Sequence, residues 1–260
     1  MNRIEEAFRN KKAFIAFTIG GDPDMETTER LILALDEAGA GIVEIGIPFS
    51  DPIAEGPVIE AAAGRALAGG CTTDLLFDLV ARLRLKTEIP LLFMTYFNPV
   101  FVYGKEKFLR KCRDCGIDGV IIPDLPFEEK DEMEDLCLLY GIDLISMISP
   151  ASDERITMIA REAKGFLYCV SSFGVTGMRT EFNTDIGAMV NKAKEVSSVP
   201  CAVGFGISSP EQAREIASLA DGVIVGSAIV DLVAQHGRDC VPFVKAFVRE
   251  MKEEINKVID

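Results

Sequence analysis

The chain has 260 residues and a mass of 28.3 kDa, and 48% of its residues are hydrophobic and 26% charged. Such a chain can bury a full core, which excludes a disordered protein. Its formal net charge of -14, from 27 Lys+Arg against 41 Asp+Glu, argues against nucleic-acid binding, because that function needs a basic patch to displace counterions.

The apolar runs along the chain are short. Gly119–Pro123 and Val199–Ile207 fall far below the ~20 residues that a bilayer-spanning helix needs, and Met1–Asn10 is polar. The sequence therefore predicts no membrane segment and no export signal. Seven cysteines spread over a chain of this length indicate a reducing, cytoplasmic location rather than a disulfide framework.

One cysteine pair, Cys112 and Cys115, has the spacing of some redox and metal sites. The pair ends a predicted helix just before Gly116, whereas reactive pairs lie at helix N-termini, where the dipole stabilises the thiolate. No second pair and only one histidine, His236, accompany it. We interpret these cysteines as small apolar core residues and expect no metal site.

Three segments share one order of features: Leu35–Pro52, Arg110–Glu129 and Asp135–Glu154. Each has an amphipathic stretch, a Gly where a helix should stop, a short apolar run rich in β-branched residues, and then Pro and acidic residues. This order predicts a repeated unit of helix, turn, buried strand and loop.

Apolar residues at i, i+3, i+4 and i+7 predict four amphipathic helices. They are Leu31/Ala34/Leu35/Ala38, Leu76/Leu79/Val80/Leu83, Met133/Leu136/Cys137/Tyr140 and Ile156/Ile159/Ala160/Ala163. Continuous apolar runs are typical of parallel strands covered on both faces. Eight are predicted: Ala13–Ile19, Ile42–Ile47, Leu91–Tyr96, Gly119–Ile122, Asp143–Ile148, Phe166–Val170, Cys201–Gly204 and Gly222–Val225.

Eight strands alternating with helices, without a linker, favour a single α/β domain over residues 1–260 with the (β/α)₈ TIM-barrel fold. The alternative is a doubly wound fold, but Thr18–Pro23 after the first strand lacks the G-x-G-x-x-G spacing. Additional helices are predicted at Ile4–Arg9, Val58–Leu67 and Pro242–Val258.

Catalytic residues of such barrels lie at the C-terminal ends of the strands. Glu44 is an acid inside an apolar strand, where an ionised carboxylate is costly, and its alternation with Val43 and Ile45 points it into the barrel. Glu55 and Asp51 follow in the next loop. Two carboxylates that meet at one pocket can divide the roles of general acid and base.

Glycine-rich loops follow the last three predicted strands: Gly174–Gly177, Gly204–Ser208 and Gly226–Ala228. Glycines let backbone amides approach an anion, a helix N-terminus adds partial positive charge, and the last two βα loops are the usual phosphate site of these barrels. We therefore predict a phosphorylated substrate.

Missing residues exclude several reactions. No predicted strand ends in the lysine of a Schiff-base aldolase, and His236 alone cannot supply the ligands of a metal aldolase. The Glu and His pair of a triosephosphate isomerase is also missing. Acid/base chemistry by carboxylates remains, with Tyr96 and Tyr168 as candidate helpers.

The motifs together closely resemble the tryptophan synthase α subunit family over nearly the whole chain. The most specific match is E-I-G-I-P-F-S-D-P at Glu44–Pro52, followed by Gly56-Pro57; further matches are Phe17–Pro23, Asp124–Pro126, Gly174–Gly177, Gly204–Ser208 and Gly226–Ser227. The resemblance implies retro-aldol cleavage of indole-3-glycerol phosphate to indole and glyceraldehyde 3-phosphate. It assigns acid/base catalysis to Glu44 and the carboxylate that meets the indole N–H to Glu55, where the family norm is the shorter Asp.

The resemblance carries over further residues by position. Tyr168 faces the ligand and the second carboxylate, and Thr176 orders the loop that covers the site. The indole pocket is expected to be lined by Phe17, Tyr96, Phe205 and Ile224, and the phosphate to be held by Gly177, Gly206, Gly226 and Ser227.

The resemblance also implies a partner, a tryptophan synthase β subunit in an α2β2 complex that receives the indole. Pyridoxal phosphate belongs to that partner, and no cofactor is expected in this chain. Asp51, Asn98 and Pro126 match the family's contact surface. Two alternatives stay open: an indole-releasing lyase that needs no partner, and a non-enzymatic subunit that regulates a partner. An isomerase of the histidine or tryptophan pathways would need acids at strands one and five, but strand five ends in Ile148-Ser149-Pro150.

Overall fold

The computed structural model describes residues 2–9, 11–150, 152–170, 179–204 and 206–258, and for residues 179–185 it describes the backbone alone. Nine strands are present in this part of the chain: β1 Ala13–Ile19, β2 Ile42–Gly46, β3 Leu91–Met94, β4 Gly119–Ile121, β5 Asp143–Leu144, β6 Met147–Ile148, β7 Leu167–Val170, β8 Cys201–Gly204 and β9 Gly222–Val225. All neighbouring strands are parallel, in the order β5-β4-β3-β2-β1-β9-β8-β7-β6.

The helices alternate with these strands. They are α1 Arg3–Ala7, α2 Met25–Glu37, α3 Pro57–Ala68, α4 Thr73–Leu83, α5 Phe97–Tyr103, α6 Lys105–Cys115, α7 Asp131–Tyr140, α8 Asp153–Glu162, α9 Arg179–Lys194, α10 Pro210–Ala217, α11 Ser227–His236 and α12 Val241–Ile255. Short 3₁₀ turns occupy Phe127–Glu129 and Gly237–Asp239. The order of elements confirms the predicted (β/α)₈ barrel, and the three additional helices are present as α1, α3 and α12.

The predicted fifth strand, Asp143–Ile148, is the main correction, because it is broken into β5 and β6. Its first half pairs with β4 and its second half with β7. Between them, the Ile145 amide donates to Val120 O (2.9 Å), and Ser146 O accepts from the Tyr168 amide (2.9 Å). The segment changes partner halfway along its length, and this change closes the barrel.

Helix α5 is a second difference from the predicted elements. The apolar run predicts a strand that extends to Tyr96 with no helix directly after it, whereas β3 ends at Met94 and α5 begins at Phe97. The sequence FNPVFVY lacks strong helix formers, and Tyr96 makes no side-chain capping bond. Instead, Asp124 Oδ1 accepts from the Phe97 amide (2.8 Å) and satisfies one of the first N–H groups of the helix. A contact between two loops therefore fixes this helix.

The core has two layers. Inside the barrel, apolar side chains from alternate strand positions pack together, including Ile15, Ile42, Leu92 and Ile121. The outer layer lies between the strands and the helices, where the predicted apolar faces are wholly buried on α2, α4 and α8 and partly buried on α7. Because the strands are parallel, all their C-terminal ends meet on one side of the barrel, where the candidate site lies.

The cysteines belong to this core. All seven are buried free thiols. Cys112 and Cys115 lie at the C-terminal end of α6, before Gly116 in the left-handed conformation (φ 94°), and burial raises the pKa of the Cys115 thiol to about 11. The interpretation as apolar core residues is therefore confirmed. None of the helices in the described ranges combines the length and the hydropathy that a bilayer-spanning segment requires.

Candidate active site

A cavity of about 550 Å³ opens at the C-terminal ends of the strands. Its wall is mostly apolar, with a few polar groups, which is the usual composition of a small-molecule site. Predicted site residues on this wall are Phe17, Glu55, Pro126, Tyr168, Gly206, Ile224, Gly226 and Ser227. The cavity thus brings together the second-strand loop, β7 and the two loops predicted to bind phosphate.

Glu44 lies in the middle of β2, where its Cα is in register with Phe17 of β1 and Leu92 of β3. It shares the inward face of β2 with Ile42, two residues before it, which packs inside the barrel. The side chain is 0% exposed, and neither carboxyl oxygen has a hydrogen-bond partner among the described residues. A buried carboxyl without a partner is destabilised in its charged form.

Burial, and secondarily the negative charge of Glu55, raises the pKa of Glu44 to about 8. At pH 7 the group is therefore mainly the neutral acid, which can donate a proton and afterwards accept one. A carboxyl whose pKa lies near the working pH, in a water-poor barrel, is a strong candidate for a general acid/base.

The raised pKa of Glu44 makes stability depend on pH. Between the ordinary carboxyl pKa and about 8, the folded state holds a proton that the unfolded state has released, so stability falls as the pH rises. We expect Glu44→Gln to be increasingly more stable than the parent from pH 5 to pH 8, by up to about 1.4 kcal/mol for each pH unit. Urea unfolding at pH 5.5, 6.5 and 7.5 measures this, with the exposed Glu250→Gln as the surface control. A difference that stays constant with pH would contradict it.

Glu55 lies in the loop between β2 and α3, half-buried at the cavity wall. Its Oε1 accepts a hydrogen bond from the Tyr96 hydroxyl (3.3 Å), and the same hydroxyl oxygen accepts from the Ala54 amide (3.1 Å). Burial raises the pKa of Glu55, the Tyr96 hydrogen bond opposes that rise, and Glu60 adds to it. Glu44 and Glu55 are electrostatically coupled, as expected for two acids at one site.

Tyr168, on β7, is buried inside the barrel and lines the cavity. A Cβ on Gly204 of the neighbouring strand would lie only 2.8 Å from the Tyr168 hydroxyl oxygen, so the absence of a side chain at Gly204 makes room for this ring. Burial, then the charges of Glu44 and Glu55, raises the pKa of Tyr168 well above its usual value. Its hydroxyl therefore keeps its proton at neutral pH and can donate a hydrogen bond in the cavity.

The apolar side of the cavity includes Phe17 and Ile224, on the neighbouring strands β1 and β9. A Cβ on Gly226 would approach the Phe17 ring to 3.2 Å, and one on Gly46 would approach it to 2.9 Å. These glycines leave space for the ring, which gives the cavity a flat apolar wall.

Three residues predicted to hold the phosphate, Gly206, Gly226 and Ser227, lie on the cavity wall. Gly206 has a positive φ of 70°, which glycine adopts without strain. Gly226 precedes α11, Ser227 is its first residue, and Gly226 offers no capping side chain. Within the described residues, the amides of Ser227 and Ala228 therefore stand at the uncapped N-terminus of a helix on the cavity wall. Such a helix N-terminus attracts an anion by its free N–H groups and its dipole.

We expect Ser227→Leu to raise the KM for a phosphorylated substrate about tenfold or more, because the larger side chain obstructs the amides that face the anion. The control, Thr73→Leu, makes a comparable change at the first residue of α4, outside the cavity. Competition by glycerol phosphate measures the effect on the phosphate alone. If the Ser227→Leu chain binds glycerol phosphate as tightly as the parent, the phosphate lies elsewhere.

Two predicted site residues do not lie on the cavity wall in the described part of the chain. Among the described residues, the cavity wall does not include Tyr96, which was predicted to line the indole pocket; its hydroxyl instead reaches Glu55 and the Ala54 amide. Glu44 also lies off the wall, buried in the barrel interior. Thr176, Gly177 and Phe205 lie outside the described residues.

The residues predicted for the partner surface, Asp51, Asn98 and Pro126, are all exposed. They lie in loops or at the start of a helix after β2, β3 and β4, on the same side of the barrel as the cavity. The Ser50 hydroxyl donates to Asp51 Oδ2 (2.5 Å) and holds this carboxylate in its loop.

The cavity wall also carries two cations that are not among the predicted site residues, Lys130 and Arg155. Lys130 is paired with Glu134 (2.8 Å) and Glu162, and Arg155 with Glu128 (2.5 Å). Their positions near the start of α7 and α8, after the C-terminal ends of β4 and β6, are the signal that could have identified them. Among the described residues, no three His, Cys, Asp or Glu side chains come together as metal ligands.

Comparison with known proteins places this chain in a family. The model of the tryptophan synthase alpha chain family matches residues 4–256. The tryptophan synthase alpha chain of Lacticaseibacillus casei is 47% identical over 256 residues, with 98% of this chain and 96% of the relative covered. That of Caldanaerobacter subterraneus subsp. tengcongensis is 48% identical over 260 residues, with 97% and 99% covered.

Solved structures agree with the sequence relatives. Tryptophan synthase subunit alpha from Legionella pneumophila superposes with a TM-score of 0.90 at 35% identity, covering 99% of this chain and 100% of that one. A chain of the tryptophan synthase α2β2 complex from Pyrococcus furiosus gives a TM-score of 0.86 at 36% identity, covering 93% and 98%. A family match over nearly the full length, together with relatives of almost half-identical sequence, shows that this chain belongs to the tryptophan synthase alpha chain family.

Proposed function

We propose that this chain cleaves indole-3-glycerol phosphate to indole and glyceraldehyde 3-phosphate, as a carbon–carbon lyase acting by a retro-aldol reaction. The observation that carries the proposal is the buried carboxyl of Glu44 in the barrel interior, which has no hydrogen-bond partner among the described residues and whose pKa is raised by burial and by the nearby Glu55. Glu55 lies on the wall of a cavity that also includes the N-terminus of α11, where a phosphate could bind. The two acids would act on the indole and the glycerol chain, and the helix N-terminus would hold the phosphate.

The reaction begins with a proton transfer to C3 of the indole, the carbon that carries the glycerol chain. Glu44 is suited to donate this proton, because its raised pKa of about 8 keeps it neutral at pH 7. The protonated ring carries positive charge at its nitrogen. The carboxylate of Glu55, at the cavity wall, is the anion that stabilises this charge in a water-poor site.

The second step breaks the carbon–carbon bond. The carboxylate that Glu44 has become accepts the proton of the side-chain hydroxyl next to C3, the oxygen forms an aldehyde, and the bonding electrons return to the ring. Indole and glyceraldehyde 3-phosphate result, and Glu44 has recovered its proton. In this proposal Tyr168, which keeps its proton and lines the cavity, faces the substrate and the second carboxylate, Glu55.

We further propose that the chain works with a tryptophan synthase β subunit in an α2β2 complex and passes its indole to that subunit. Pyridoxal phosphate belongs to the partner in this proposal, and the complex is cytoplasmic. Asp51, Asn98 and Pro126 are exposed beside the cavity. The exposed apolar side chains of Ile53, in the loop of Asp51, and of Val102, in the helix of Asn98, support a partner surface here.

The test is an assay of the purified chain on indole-3-glycerol phosphate, with and without a β subunit, measuring both products. Equal amounts of indole and glyceraldehyde 3-phosphate, at a rate that the β subunit increases, are expected. A rate independent of the β subunit would identify a stand-alone lyase. No cleavage under either condition would contradict the proposal and favour a purely regulatory subunit.

A further inference from the structure

The hydroxyl of Tyr96 makes two hydrogen bonds that a residue lining the indole pocket does not need. Its oxygen accepts the Ala54 amide hydrogen (3.1 Å), which occupies one lone pair. The single hydroxyl proton is then free to point to Glu55 Oε1, 3.3 Å away. In this arrangement the hydroxyl donates its proton to the carboxyl, and a hydrogen bond of this direction favours the ionised form of Glu55.

Tyr96 is itself held firmly. The side chain is 4% exposed, and its ring packs against Phe49 with the centroids 5.6 Å apart. On one side the Thr95 amide donates to Ile121 O (3.0 Å), and on the other the Phe97 amide donates to Asp124 Oδ1 (2.8 Å). The donor is therefore fixed by the barrel, whereas Glu55 lies in a loop.

We propose that Tyr96 is a positioning residue that holds the Glu55 carboxylate ionised and in place at the cavity wall, and that the longer acid at position 55 depends on it. An aspartate carboxylate is one C–C bond, about 1.5 Å, closer to the backbone. At that distance the 3.3 Å hydrogen bond from Tyr96 is lost unless the loop moves. The proposal deepens the proposed function, since the charge that Glu55 supplies matters only if the ring nitrogen becomes positive.

Burial and the neighbouring Glu60 act against the negative charge of Glu55. Glu60 of α3 raises the pKa of Glu55, and burial raises it further. In addition to burial, the charge of Glu55 in turn raises the pKa of Glu44 on β2 and the pKa of Tyr168 on β7. The hydrogen bond from the Tyr96 hydroxyl has the opposite effect and lowers the pKa of Glu55. Removing this hydroxyl therefore raises the pKa of Glu55 and makes its ionised form less stable.

The test compares Tyr96→Phe with a matched control, Tyr140→Phe, whose hydroxyl also donates to a glutamate (Glu106, 3.0 Å) but lies on the outer surface. In Tyr96→Phe we expect kcat to fall about tenfold with an unchanged KM, because the phosphate contacts still hold the substrate. The acid limb of kcat should move up by about one pH unit. In a chain that already carries Glu55→Asp, the Tyr96 hydrogen bond is already lost. Adding Tyr96→Phe to that chain should therefore change kcat by less than about twofold.

A second readout does not need activity. Nuclear magnetic resonance of the chain with ¹³C-carboxyl glutamate follows the titration of Glu55, assigned by its loss in Glu55→Gln. The proposal requires a higher pKa of Glu55 in Tyr96→Phe than in the parent and in Tyr140→Phe. It is overturned if the pKa of Glu55 is the same in all three chains, or if Tyr96→Phe costs as much in the Glu55→Asp background. Failure of the parent to release indole would instead contradict the proposed function, and the titration would still decide the role of Tyr96.

Discussion

Replacing Glu44 with Gln is expected to abolish cleavage, with kcat reduced by about 10²–10⁴-fold or more. The amide has nearly the size of the acid but cannot donate a proton to C3 or accept one from the hydroxyl. One group serves both steps, so its loss affects each of them. Stopped assays of indole release over long incubation measure the residual rate.

Folding and phosphate binding are the controls for this change. The Gln variant should unfold cooperatively and bind glycerol phosphate as the parent does, because Glu44 lies off the cavity wall and the phosphate loops are on other strands. The pH profile of the parent adds a check: its rate should fall above pH 8, where Glu44 loses the proton that it must donate. Turnover by Glu44→Gln close to that of the parent would remove this residue from the mechanism.

Glu44 can be identified from the sequence because it is a charged residue within a run of apolar residues that is predicted to be buried. An acid between Val43 and Ile45 breaks an otherwise apolar strand, and strand alternation alone decides the side to which it points. The bounds of β1, β8 and β9 were equally predictable, since their apolar runs are short and bordered by turn residues. The local sequence pattern is sufficient to predict an element where local preference and the overall fold favour the same structure.

The features that the sequence did not reveal depend on contacts between distant segments. The break at Ile145 and Ser146 follows from closing the barrel, where one segment must pair with β4 and then with β7. Helix α5 depends on Asp124 in another loop. The bond between Tyr96 and Glu55 joins residues 41 positions apart. No periodicity or motif within one segment encodes these contacts.

The acid at position 55 provides a second large effect, through four chains compared at saturating substrate. Glu55→Ala should lose most activity, because the charge that develops on the indole nitrogen then has no anionic partner in the buried site. Removing one such electrostatic group costs about 10²–10³-fold in kcat. Glu55→Gln keeps the size of the side chain but removes its charge. Its kcat should therefore be as low as that of Glu55→Ala if the charge is what matters, and close to that of the parent if packing is what matters.

Glu55→Asp tests the length of the acid separately from its charge. It should retain substantial activity, because a carboxylate is still present at the cavity wall and the family norm that the resemblance implies is the shorter acid. The expected kcat of Glu55→Asp lies below that of the parent by no more than about tenfold, the cost of losing the Tyr96 hydrogen bond, and Glu55→Gln and Glu55→Ala lie far below both. If Glu55→Ala and Glu55→Gln both turn over like the parent, Glu55 is only a loop acid. The anion that stabilises the positive nitrogen would then have to be another carboxylate, and Asp124, in the loop after β4 between the cavity-lining residues Pro123 and Leu125, is the next residue to replace.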